Sequence, residues 1–133
     1  MSFTNFLENE LLDHVFGNSA YGAPGNLHIA LSTTPPNDDG TNFTEPVGGA
    51  YVRVSTVNNL TNWPAAVAGS KSNGTAIAFP EATLNWGTIT HFGIYDAGVG
   101  GNLLGKGALT VSRTIEIGDV AQFNIGQIAI TLD

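Results

Sequence analysis

The chain has 133 residues, 42% of them hydrophobic and only 11% charged, against roughly 25% charged in an ordinary soluble domain. That length and balance predict one folded domain with a single core and exclude disorder. Eleven acids against four bases give a net charge of −7, and Arg53, Lys71, Lys106 and Arg113 are scattered, so no basic stripe exists to neutralise nucleic-acid phosphates. There is no cysteine, which excludes a disulfide framework, a zinc-thiolate centre and a thiol nucleophile.

The chain opens on its one segment with helical periodicity. Over residues 3–16, Phe3, Phe6, Leu7, Leu11 and Val15, with His14, fall on one face at spacings of three and four. Ser2 or Thr4 is the expected cap, Glu8 and Glu10 sit towards the positive end of the dipole, and Gly17 is the expected stop. Residues 1–17 are therefore read as an N-terminal helix, which either crosses the sheet of its own subunit or docks on a partner. The start lacks a basic segment followed by an apolar one, and no apolar run reaches the roughly 20 residues of a bilayer-spanning helix. The expectation is a soluble chain made in the cytosol, without membrane contact.

A turn-rich stretch, Asn18 to Asn26, leads to a first strand, Leu27–Ser32, with Leu27, Ile29 and Leu31 on one side and His28, Ala30 and Ser32 on the other. Pro35-Pro36-Asn37-Asp38-Asp39-Gly40 blocks helix and ladder alike, so residues 33–49 read as a long exposed loop. Tyr51–Val57 is the second strand, and residues 58–73 form another polar connection broken at Trp63-Pro64 and Gly69. Strand-like pieces follow at Thr75–Phe79, Ala82–Trp86, Thr88–Asp96, Gly107–Ile117, Val120–Ile125 and Gln127–Leu132. Short pieces punctuated by Gly and Pro indicate antiparallel pairing. The predicted fold is all-β: a mainly antiparallel, jelly-roll-like β-sandwich of about eight strands over residues 27–133, with one N-terminal α-helix.

No motif supplies chemistry. His14, His28 and His91 share no metal-ligand spacing. Asn37-Asp38-Asp39-Gly40 offers oxygens of the kind calcium takes, but the run already reads as a turn. Asp96-Ala-Gly-Val-Gly-Gly-Asn102 lacks both the Gly-Lys-Ser/Thr ending and the following helix of a phosphate loop, and reads as a wide hairpin loop. Glu81 and Asp96 are the acids of the central strand region, and nothing in the sequence pairs them as a glycosidase requires. Trp63, Trp86, Phe92 and Tyr95 either form a sugar-stacking platform or, for Trp86 and Phe92, fill the core. The reading is a non-enzyme without cofactor or metal.

Several phrases in order and spacing carry a resemblance. They are Phe6-Leu7-Glu8-Asn9 with Leu11 to Gly17, Leu27 to Ser32 running into Thr33-Thr34-Pro35, Tyr51-Val-Arg-Val54, Ser72-Asn-Gly-Thr75 and Phe79-Pro80. The longest is Trp86-Gly-Thr-Ile-Thr-His-Phe-Gly-Ile-Tyr-Asp-Ala97, followed by Gly101 to Leu104, Gly107 to Thr110 and Ile128 to Asp133. Over nearly its whole length the chain resembles a family of small bacteriophage virion structural proteins whose members usually carry the label phage tail fibre protein. It has no shaft or trimerising repeat, and in size and architecture is similar to capsid cement (decoration) proteins. The resemblance implies a virion component that oligomerises, as a trimer, and clamps neighbouring major capsid subunits from the capsid exterior; the alternative is a tail fibre or tail-associated host-recognition or adaptor subunit. The expected contact elements are the helix and the loops 33–49 and 58–73, with Phe3, Phe6, Leu7, Leu11, Pro35, Pro36, Phe43 and Trp63 as the candidate partner-facing residues.

Overall fold

The computed structural model describes residues 1–132; Asp133, the last residue of the expected sandwich, lies outside them. Among the described residues the elements run β1 (Ser2–Phe3), α1 (Asn5–Phe16), β2 (Asn26–Ser32), β3 (Val54–Val57), β4 (Ser70–Ser72), β5 (Ile77–Ala78), β6 (Gly87–Tyr95), β7 (Leu103–Ile115), β8 (Gln122–Phe123) and β9 (Ala129–Thr131). Every pairing is antiparallel. A five-stranded sheet has the order β1-β7-β6-β2-β3, and β4-β9 and β5-β8 are two-stranded ribbons.

The all-β architecture with one N-terminal helix is thus as expected. The strands divide five, two and two, however, not into the paired four-stranded sheets of a jelly roll. Local hydrogen bonding explains the difference. Ala82–Trp86, expected as a strand, instead ties itself to two loops and the end of β7: Ala82 N–H donates to Asp119 O, Thr83 N–H to Gly49 O and Trp86 N–H to Ile115 O.

The main core lies on one face of the large sheet. Ile29 and Leu31 of β2 stand opposite Ile94 and Phe92 of β6, and all four are buried with Ile89, Ile77, Phe79, Phe123 and Ile128. Aromatic rings knit this layer edge to face, with Phe92–Phe123 centroids at 5.3 Å and Phe79–Phe123 at 6.5 Å. Asn73, 1% exposed, ties together the segments that flank the two ribbons. Its amide nitrogen donates to Thr75 O and Asn124 O, and its oxygen accepts from Ile128 N–H.

The opposite face of β2 and β6 is buried too, which a strand alternating apolar and polar would not be. Ala30, Tyr95 and Leu103 form a second cluster capped by Phe43. Gly93 makes this possible: a Cβ there would lie 2.6 Å from both Leu103 Cδ1 and Phe43 Cε2. Ser32 closes the loop that delivers Phe43, accepting at Oγ from the Thr34 and Thr44 N–H groups.

The N-terminus departs from expectation in detail. Phe3 is not helical but belongs to β1, where it pairs with Gly105. Thr4 occupies the cap position, yet its hydroxyl makes no capping bond; it turns to the backbone oxygens of Leu103 and Leu104 instead. Gly17 ends the helix at φ −132°, and the left-handed step falls to Asn18 at φ 53°, a residue whose short polar side chain tolerates it. No residue of α1 is fully buried.

Candidate interaction surface

Two ion pairs hold the 33–49 loop among the described residues, and the more buried joins Glu45 to Arg53. Arg53 Nε donates to Glu45 Oε1 and Nη2 to Glu45 Oε2, both at 2.9 Å, the two-pronged geometry that guanidinium and carboxylate share. Nη1 donates to Ala97 O at 2.8 Å and Gly100 O at 2.7 Å. The guanidinium lies 3.6 Å from the centre of the Tyr95 ring. Tyr51 completes the group, donating to Glu45 Oε1 and accepting from Leu31 N–H. Burial, first of all, pushes the Tyr51 hydroxyl far above its ordinary range, so it stays a donor. For Arg53, burial works against the charge, and the hydrogen bonds and charge of Glu45 more than offset it.

Arg53 thus ties the Glu45 loop to the hairpin loop after β6. That second loop is the wide hairpin expected: Asp96 accepts from Asn102 at both its N–H and its side-chain amide. A cleft of about 370 Å³ opens between the two, lined by Phe6, Asp39, Glu45, Arg53, Tyr95 and Asn102 among others. Glu45 and Arg53 in it satisfy each other.

The Asp38-Asp39 run forms its turn. Asp39 Oδ1 accepts from the N–H and hydroxyl of Thr41, and Asp38 pairs with Lys106 at 2.9 Å. The Thr41 bonds hold the Asp39 carboxyl below its ordinary 3.8. A depressed folded pKa means the contribution is present above 3.8 and lost as pH falls through the folded value. The Thr41 amide, followed by NMR, is expected to titrate with a midpoint under 3.8, and the Asp39→Asn chain to lack that step. A midpoint at or above 3.8 would show that the carboxylate does not hold the turn.

The candidate partner-facing residues separate into two groups. Trp63 is 2% exposed, with Nε1 donating to Thr56 Oγ1; it is core, and has no surface to offer. Pro36 is buried, Phe43 is half-buried beneath its own loop, and Pro35 is exposed. Phe6, Leu7 and Leu11 are half-buried on α1, which packs against the chain's own β1 and β7, and Phe3 is half-buried within β1. Trp86, Phe92 and Tyr95, like Trp63, are each under a tenth exposed, so none presents a face for sugar stacking.

The apolar residues left open are others. Leu12 (56%), Val15 (64%) and Phe16 (84%) are exposed at the C-terminal half of α1, and Leu60 and Val67 are exposed in the 58–73 connection. The sequence held a signal for Leu12 and Phe16: each adjoins a residue of the expected stripe, Leu11 or Val15, and so falls off it; Val15, expected on the stripe, is exposed as well.

Histidines and carboxylates are dispersed in space as in sequence. His14 Nδ1 accepts from Tyr21 N–H, His91 Nδ1 sits 2.8 Å from Thr90 Oγ1, and among the described residues no three His, Asp or Glu side chains converge on a point. No helix among them is long and apolar enough to cross a membrane. No curated protein matches the sequence. Residues 2–131 match the family described as Podophage GP4 fiber I protein gp80. With that match spanning all but the ends, the chain belongs to this phage fibre family and is a phage virion structural protein.

Proposed function

We propose that the protein is a non-enzymatic subunit of the virion's fibre apparatus, acting through covered surface and not through a reactive centre. The observation that carries this reading is the family match across residues 2–131. Side-chain chemistry supports it, since the Arg53–Glu45 pair, more buried than Lys106–Asp38, serves to fasten loops. The fibre role is preferred to the capsid-cement role expected above, because cement rests on size and architecture alone while the family is described as a fibre protein. In this reading its partners are other virion proteins.

Immunogold labelling of purified virions with antibody to this chain tests the assignment. Gold is expected on the fibres. Gold spread over the capsid shell would replace the fibre role with cement, and virions free of the chain would end both.

A further inference from the structure

The exposed end of α1 has a composition that defines its partner. Leu12, Val15 and Phe16 lie at spacings of three and four and so form one stripe. Their exposure, 56%, 64% and 84%, leaves roughly a few hundred Å² of apolar side chain open, the size at which patches mark contact sites. That is a sizeable part of the ~800 Å² each partner gives to a standard interface. Exposed Glu8 and Asp13 flank the stripe, and residues 1–25 contain no lysine or arginine. The other end of the helix is fixed: β1 pairs with β7, Thr4 N–H donates to Leu104 O, and Asn5 N–H donates to Asp38 O. The patch is therefore presented on an anchored rod, which lowers the ordering cost of binding.

A second copy is a poor occupant. Two such helices packed along this stripe would gather the Glu8 and Asp13 carboxylates of both copies at one interface, and the chain has few bases to interpose. Arg53 and Lys106 are held in ion pairs, and the Lys71 ammonium donates to Trp63 O; Arg113 remains exposed on β7. Like charges across an interface select against that pairing.

We propose that the Leu12–Val15–Phe16 face of α1 docks the protein onto a different virion protein, in an apolar groove rimmed by lysine or arginine. The proposal rests on the chain being a virion component. The test is a benzoylphenylalanine photocrosslinker in place of Phe16, irradiated in assembled virions and read by mass spectrometry of the joined peptides. The expected product joins this chain to a peptide of another virion protein with lysine or arginine within a few residues of the link. Two variants accompany it. Both Leu12→Ser/Phe16→Ser and Glu8→Lys/Asp13→Lys, which leaves the apolar area intact, are expected to lower virion occupancy at least tenfold with an unchanged melting temperature. A cross-link to a second copy, no cross-link in virions that carry the chain, or full occupancy by the charge-reversed variant would each overturn the proposal. Virions lacking even the unaltered chain would overturn the fibre reading beneath it.

Discussion

Trp86→Ala is expected to destabilise the protein by about 4 kcal/mol, within the range for deleting a buried aromatic side chain. The indole is 5% exposed, stands edge-on to Tyr51 at 5.3 Å and to Phe79 at 6.5 Å, and donates from Nε1 to Gly49 O at 2.9 Å. Its removal opens a void beside the main core and also takes one of the two hydrogen bonds that the Gly49 carbonyl accepts, the other coming from Thr83 N–H. The ring is moreover the wall against which the end of the 33–49 loop is folded. Gly49 sits at φ 62°, and a Cβ there would lie 3.0 Å from Nε1 and 2.9 Å from Leu84 Cβ. The backbone must pass that close for the hydrogen bond to form, and only glycine takes such a path without strain.

Two variants separate the contributions. Trp86→Phe keeps most of the volume but loses the donor, so it should cost about 1 kcal/mol, the net worth of one hydrogen bond, because the Gly49 carbonyl still accepts from Thr83 N–H. Guanidinium unfolding of the three chains checks both, and a loss of 4 kcal/mol corresponds to roughly 15 °C in melting temperature for a domain of this size. If Trp86→Ala stayed within about 1 kcal/mol of the parent, the aromatic layer would not be what holds loop to sheet.

The parts of this fold that could be read from the sequence are those in which one strand carries its own pattern. β2 was expected at Leu27–Ser32 and β6 at Thr88–Asp96, each within a residue of its observed limits. The alternation of Ile29 and Leu31 named the core face correctly. It could not show that Ala30 and Ser32, 0% exposed, are covered as well, because their cover, Phe43, arrives from a loop. β1 was illegible for a related reason: two residues become a strand only by finding Lys106 and Gly105 more than a hundred positions away. The start of β7 was expected at Gly107, yet the strand begins at Leu103. Tyr95 pairs with Leu103 and Ile94 with Gly105, so Leu104 is the extra residue of a bulge, and both leucines are buried without an alternating pattern. At the interaction surface, periodicity found an apolar stripe on α1; Phe6, Leu7 and Leu11 of it are half-buried in a helix packed on β1 and β7, whereas Val15 is left open. Trp63 beside Pro64 in a polar stretch looks like an exposed loop aromatic. Its burial depends on Thr56, seven residues back, and on Lys71, whose ammonium reaches the Trp63 carbonyl.

Arg53→Ala is expected to cost about 3 kcal/mol, the lower end of what breaking one partner of a buried pair costs. The Arg53 side chain is 7% exposed and Glu45 26%, so Glu45 can recover part of its hydration, whereas the Ala97 carbonyl loses a bond it made at 2.8 Å. Tyr95 loses the cation over its ring at the same time. Arg53→Lys should regain less than half of the loss, since an ammonium is a point charge that cannot occupy both Glu45 oxygens and reach the second loop together. The cost comes mainly from the carboxylate left behind and not from the net strength of the pair. Adding Glu45→Gln to Arg53→Ala should therefore lower the penalty, because a neutral amide still accepts from the Tyr51 hydroxyl without a stranded charge. A double-mutant cycle by denaturant unfolding measures this directly, with a coupling of about 1–3 kcal/mol expected. Additive losses would mean that Arg53 acts on the Ala97–Gly100 loop independently of Glu45. The two loops would then be fastened to the sheet separately, with no shared pin between them.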